Sequence, residues 1–214
     1  MPDKIRPYRM QRRAESQLQT RLRITESAVT LHGTVGPSRT TISAVAAHAG
    51  VRRSTVYRHF PDEAALFDAC TSHWAAANPP PELAAWSAIA SPDERLAVAL
   101  HELYAFYRRT EPMLDTLFRD EAAVPLVEEH FAVFRGYLAA ARDALMAGRN
   151  ERGAARQRTR AALGHAIAFS TWKSLVRTEG LNDVDAIALV RALVAAAGLT
   201  TREHAARSAS RPAI

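Results

Sequence analysis

Twenty residues near the N-terminus, Thr41 to Phe60, restrict the fold more than any other part of the chain. They form two short helix-period runs, about residues 42–49 and 53–60, separated by Gly50. Each position has a physical reason. Thr41 offers a hydroxyl to cap the first run. Ala46 is small where two helices must cross closely. Gly50 permits the positive φ of a tight turn. Val45, Ala49, Val51 and Val56 supply apolar contacts between the two runs. The pattern is that of a helix-turn-helix.

The rest of the chain agrees with an all-helical fold. Alanine is abundant, β-branched runs are short, and 3.6-residue periodicity recurs. The first helix is expected over about residues 11–32, with Leu18, Leu22, Thr25, Val29 and His32 as its apolar stripe, widened by Ile24, Ala28 and Leu31. Asp62 is expected to cap a helix to about Ala77, which Asn78-Pro79-Pro80-Pro81 ends. A short helix around Trp86 follows. Ser91, Pro92 and Glu94 then form a capping signal for a helix to Thr110, and Pro112 and Pro125 mark two further starts. Two long final helices are expected, one over about 154–178 and one beginning after Asn182. The division expected from this pattern is a basic arm and helix-turn-helix domain over 1–62, a second helical domain over 63–200, and a polar tail over 201–214.

Charge divides the chain in the same place. The 214 residues carry 28 Lys+Arg and 22 Asp+Glu, a net charge of +6. Residues 1–60 hold 11 of the basic side chains and only three acidic ones, Asp3, Glu15 and Glu26. All the excess positive charge therefore precedes residue 61, as suits a basic module for a polyanion or a solubilising tail. The single cysteine, Cys70, excludes an internal disulfide. No apolar run reaches the length of a membrane span. The polar, basic start predicts no secretory signal and a cytoplasmic address. No catalytic constellation is found. His101-Glu102 lacks the second histidine of a zincin, and no nucleophile elbow or phosphate-cradling glycine loop occurs. The expectation is a protein that is not an enzyme and needs no cofactor or metal. Glu128-Glu129-His130 is expected to be a solvated helix face.

Ala49-Gly50-Val51, followed by Thr55-Val56-Tyr57-Arg58-His59-Phe60, resembles the core motif of the TetR family of transcriptional regulators. Thr40-Thr41-Ile42 ahead of it and Phe60-Pro61-Asp62 behind it agree, so that the resemblance covers about residues 22–70. It implies a homodimer, an N-terminal three-helix DNA-binding domain and a C-terminal domain with a ligand pocket. By position it implies that the second short helix is the recognition helix. Double-stranded DNA would then be contacted by Thr41, Ser43, Arg52, Arg53, Ser54, Thr55, Tyr57 and His59, while Arg58 is left as contact or exposed surface. Two departures stand out. Arg52 replaces the serine that commonly caps the recognition helix, leaving that cap absent or supplied by Ser54. Glu63 replaces a lysine that commonly meets phosphate. Arg52, Arg53 and an N-terminal arm with Arg6, Arg9, Arg12 and Arg13 are expected to compensate.

In the remainder, His165, Phe169 and Trp172 fall on one face if their helix is continuous. Tyr104, Phe134 and Trp172 are the candidate ligand-binding residues, for an apolar or aromatic effector, with ordinary core as the competing reading. The last two helices are apolar on more than one face, which points to a homodimer through a four-helix bundle. The expected function is a ligand-responsive, DNA-binding transcriptional repressor on a palindromic operator. The competing reading is an all-helical small-molecule-binding protein or enzyme with an incidental basic end.

Overall fold

The computed structural model describes residues 5–199, apart from the side chains of residues 5–7 and 9. The side chains of Arg6 and Arg9 and the expected tail at 201–214 lie outside the described residues. Among the described residues the regular structure is helical throughout, with no strand. Helix α1 (Ile5–Thr34) is followed by a 3-10 turn (Pro37–Arg39), then α2 (Ile42–His48), α3 (Arg53–His59), α4 (Glu63–Ala77) and α5 (Leu83–Ser87). The long helices α6 (Pro92–Asp120) and α7 (Pro125–Met146) come next. The chain ends with α8 (Gly153–Ala166), α9 (Phe169–Lys173), a π-type turn (Ser174–Thr178) and α10 (Asp183–Gly198).

The chain divides into two compact units. One comprises Met1–Pro79 with Thr110–Ala132, the other Pro80–Arg109 with Val133–Ile214. Helices α6 and α7 therefore contribute residues to both.

The first unit is built on α1, whose core face begins at Ile24 and continues through Ala28. Ile42, Val45, Val56, Phe60 and Leu66 from the three following helices pack around it. The expected stripe on α1 is corrected at its start. Leu18 is 67% exposed and Leu22 46%, because the helices they would pack against begin only alongside Ile24. The helix is also longer than expected, starting at Ile5, so residues 5–13 are helical rather than an extended arm.

Two proline and helix expectations are corrected as well. Pro112 starts no new helix and sits inside α6. It removes one backbone donor, at a cost of about 3 kcal/mol in an isolated helix. Burial of Tyr107, Thr110, Met113 and Leu114 on either side offsets that cost. The helix expected over 154–178 is instead broken between Ala166 and Phe169. The carbonyls freed at the break are taken by two buried phenols: the Tyr104 hydroxyl donates to the Ala166 carbonyl and that of Tyr107 to the Ile167 carbonyl. Burial pushes both phenols well above their ordinary range, so they remain donors.

Helix starts follow the capping residues. Asp62 accepts from the Ala65 amide at 2.8 Å, Ser91 from Glu94 at 3.3 Å, and Asn182 from Asp185 at 2.9 Å. In the second unit α10 packs along α8, and Arg158 of α8 donates to the Ala197 and Leu199 carbonyls at the end of α10.

Candidate nucleic-acid interface

Helices α2 and α3 are seven residues each, too short to persist without tertiary support. The local chemistry supplies it at both ends. Thr41 has extended backbone, and its hydroxyl accepts from the Ala44 amide at 3.1 Å. At the other end of α2, Gly50 takes φ 65°. The Gly50 amide then donates to Ala47 and the Val51 amide to Ala46, at 3.2 and 2.9 Å, closing a Schellman turn. Ala49 and Ala46 are buried at the crossing, and Val51 is half-buried.

Two arginines of α1 hold the C-terminal ends of both short helices. Arg23 Nε donates to the Ala49 carbonyl at 2.9 Å. Arg21 donates to the His59 carbonyl, and its guanidinium lies 4.1 Å from the centre of the Phe60 ring. Phe60 itself is fully buried. Cations at helix C-termini also meet the negative end of the helix dipole. Neither arginine was singled out as functional from the sequence. The only available signal was a pair of cations two residues apart just ahead of the first core residue, Ile24.

The outward surface of the motif carries the named candidates. Thr41, Ser43, Arg52, Arg53, Ser54 and Tyr57 are exposed, while Thr55 and His59 are half-buried. Arg58 is exposed and His48 projects from the end of α2. Arg52 occupies the N-cap of α3 and gives no side-chain cap, nor does Ser54. The first turn of α3 therefore leaves amide donors open at the exposed end of the helix, an arrangement suited to an anion. Arg53 donates to the Tyr57 hydroxyl at 3.1 Å and lies 5.5 Å from its ring centre, one helical turn away. That hydrogen bond, first among the causes, raises the Arg53 guanidinium above its ordinary range. His59 is shifted down, by partial burial and then by the nearby cations Arg21 and Arg58. Glu63 is exposed in the first turn of α4, where the helix dipole favours an acidic residue, and its field reaches Arg53.

Below this surface the 3-10 turn that leads into α2 is pinned by the end of α6. The Asp120 carboxylate accepts from the Ser38 amide at 3.0 Å and from the Ser38 hydroxyl at 2.8 Å. Arg119 donates to Asp120 at 2.8 Å and to the Val35 carbonyl at 2.9 Å. Thr116 donates to the His32 carbonyl at 2.7 Å. These bonds, the Arg119 contact first, draw the Asp120 carboxyl down to about 2. Nearby, burial lowers His32 to about 4 and raises the Cys70 thiol to about 12, with the two side chains 3.4 Å apart. Cys70 is thus a protonated core residue and not a nucleophile. A cleft of about 70 Å³, lined by His32, Thr41, Ile42 and Glu63 among others, is far smaller than a small-molecule site. His130 is less free than expected of a solvated face. Its ring lies 3.0 Å from Asp68 and 2.8 Å from the Leu126 carbonyl.

The ligand candidates fall in the second unit. Tyr104 and Trp172 are fully buried and Phe134 half-buried. They belong to one run of neighbouring rings, in which Trp172 meets Phe169 and Tyr107, Phe169 meets Tyr107, Tyr107 meets Tyr104 and Phe106, and Phe106 meets Phe134, at 5.5–6.4 Å between centres. Trp172 Nε1 donates to Asp183 at 3.2 Å, and Arg108 holds the same carboxylate with two bonds of 2.8 and 3.0 Å. His165 is on α8 while Phe169 and Trp172 are on α9, so the expected shared face is cut by the break. Among the described residues no group of three or more His, Cys, Asp or Glu side chains could hold a metal ion. None of their helices is long and apolar enough to cross a membrane.

Residues 24–70 match the profile of the bacterial regulatory proteins, tetR family. That segment is a TetR-family DNA-binding domain. The TetR match begins at Ile24, the first core residue of α1, and ends at Cys70, so it coincides with the packed three-helix core and the start of α4. The protein is accordingly a DNA-binding transcriptional regulator. Solved structures share its fold beyond that segment. A candidate fatty acid metabolism regulator of Clostridium perfringens is 17% identical, with a TM-score of 0.61 over 83% of this chain and 98% of its own. A candidate TetR-family transcriptional regulator from Mesorhizobium loti is 16% identical, with a TM-score of 0.58 over 85% of this chain and 96% of its own. No curated protein matches the chain.

Proposed function

We propose that the protein is a homodimeric, effector-responsive repressor that binds a two-fold-related operator through α3. The observation that carries this reading is the supported α2–turn–α3 unit, which presents Arg52, Arg53, Ser54 and Tyr57 outward while its back is clamped by Arg21 and Arg23. Residues 1–62 bind the operator and residues 63–200 sense the effector and pair the subunits. Thr41 is committed to capping α2, so its part is to fix that helix while Ser43 faces phosphate. Arg53 reads a guanine edge with Tyr57 bracing it, and Thr55 and His59 flank the contact. Partial burial, then Arg21 and Arg58, lower the His59 pKa and favour its neutral, hydrogen-bonding form in the free protein.

Dimerisation uses the outer faces of α8 and α10. On α10, Val184, Ala188, Leu189, Ala192 and Leu193 are all exposed, Val184 at 73%. Such a face suits the four-helix arrangement in which each subunit contributes two helices. It spaces two α3 helices for successive major grooves, about 34 Å apart. The effector is apolar or aromatic and enters among the rings around Tyr104, Phe134 and Trp172. It acts by favouring a subunit arrangement in which that spacing is lost.

Selection of the full-length protein on random duplex DNA is expected to return a palindrome. Arg53→Ala is expected to relax the choice at one position per half-site, at a cost of about 1–3 kcal/mol. Recovery of no common sequence overturns the reading, and a uniform loss across all sequences moves Arg53 to phosphate.

A further inference from the structure

The TetR match starts at Ile24, yet α1 begins nineteen residues earlier. Every described side chain from Tyr8 to Gln19 is exposed. At 1.5 Å per residue the part before Arg21 is about 24 Å long. It is not an independent rod, because Arg21 and Arg23 tie α1 to the ends of α3 and α2. The direction of the projecting part relative to α3 is therefore fixed.

Those ties also fix which side of α1 looks towards the motif. That side carries Ile24 and Ser27, both buried, and half-buried Leu31. With 3.6 residues per turn, the same strip continues towards the N-terminus through positions 20, 17 and 13. Where the strip leaves the core it changes from apolar to polar and basic, with Thr20, Gln17 and Arg13. The two acidic residues of the helix, Glu15 and Glu26, lie on the opposite side. Arg12 flanks the strip and lies 5.6 Å from the Tyr8 ring centre.

We infer that the projecting half of α1 is a second DNA-contact surface, a basic helix laid against the phosphate backbone outside the major-groove site. It rests on the operator reading above and extends it. Charge complementarity selects the occupant. Among the described side chains the strip carries Arg13 and no acidic residue, Arg12 stands beside it, and the strip is continuous with the side of α1 that packs against α2 and α3. It contacts phosphates and not bases, so it adds affinity and footprint without adding sequence preference. Its helical form replaces the extended arm expected from sequence.

The test uses full-length protein and the variant Arg12→Gln/Arg13→Gln, which touches only exposed side chains. Both are titrated with salt on the selected operator, once as the bare palindrome and once with duplex flanks. Two lost phosphate contacts in each subunit, four in the dimer, are expected to reduce the salt slope by about 3.6. Flanks are expected to tighten wild-type binding while leaving the variant unchanged. Hydroxyl-radical protection is expected to shorten at the outer edge of each half-site. Equal slopes, or an equal benefit from flanks in both proteins, overturn the inference. The two readings separate cleanly: a wild type that holds no operator overturns the operator reading itself, whereas equal behaviour on an operator that it does hold overturns the arm alone.

Discussion

The two units hold short helical pieces in place by different chemistry. In the first, seven-residue helices are fixed by polar bonds to backbone: the Thr41 cap, the Gly50 turn, and Arg21 and Arg23 on the carbonyls that end α3 and α2. In the second, five-residue α9 is fixed by rings, with Trp172 fully buried among Phe169 and Tyr107. Directional bonds define a surface to within a hydrogen-bond length, as a DNA-reading helix requires. Packed rings are non-directional and tolerate volume-conserving rearrangement better.

The sharpest way to break this contrast is in the second unit. Trp172→Ala is expected to cost about 3–5 kcal/mol in denaturant unfolding, through a large cavity and the Asp183 bond it loses. A cost below about 1 kcal/mol would show that the rings are not what holds α9.

The first unit is expected to respond to pH instead. His32 is held neutral, shifted from 6.5 to about 4 chiefly by burial, with Asp120 acting weakly the other way. Because its folded pKa is depressed, the unfolded chain binds the extra proton first. Stability is therefore lost as pH falls from about 6.5 towards 4, by on the order of 3 kcal/mol in all. His32→Gln should flatten that part of the profile, and an unchanged slope would remove His32 as its source. Asp120→Ala is expected to cost about 1.5–3 kcal/mol by leaving Arg119 and the Ser38 donors without the carboxylate. Asp120→Asn should additionally erase the loss of stability between about pH 4 and 2 that follows from its lowered pKa. The smallest expected effect is that of Thr41→Ala, about 1 kcal/mol, read as faster amide exchange in α2.

The same contrast explains what was legible in the sequence. Capping and turn signals act within four residues, so Thr41, Gly50, Asp62 and Asn182 announced their roles, and the DNA-reading motif stood out. Contacts between distant segments left no such mark. The bond from Tyr104 to Ala166 spans sixty-two residues and makes possible a helix break that periodicity alone reads through. Pro112 misled in the opposite direction, because burial on both sides kept α6 continuous. The position of Asp120 against Ser38, eighty-two residues apart, was equally invisible. The caps and the turn of the motif were therefore readable residue by residue, whereas the ring cluster was readable only as a set of aromatic candidates.

Gly36, just before the 3-10 turn, shows how little sequence freedom the first unit leaves at that point. Its φ is 94°, and an added Cβ would lie 2.0 Å from the Arg119 guanidinium and 2.5 Å from the Asp120 carboxylate. A single methyl group would strain the backbone and push aside the pair that pins the entry to α2. In a genetic selection for variants with altered regulation, position 36 should yield loss-of-function alleles whatever residue replaces the glycine, although no atom of Gly36 is proposed to touch DNA or effector. Second-site suppressors, if they arise, should map to Arg119 and Asp120.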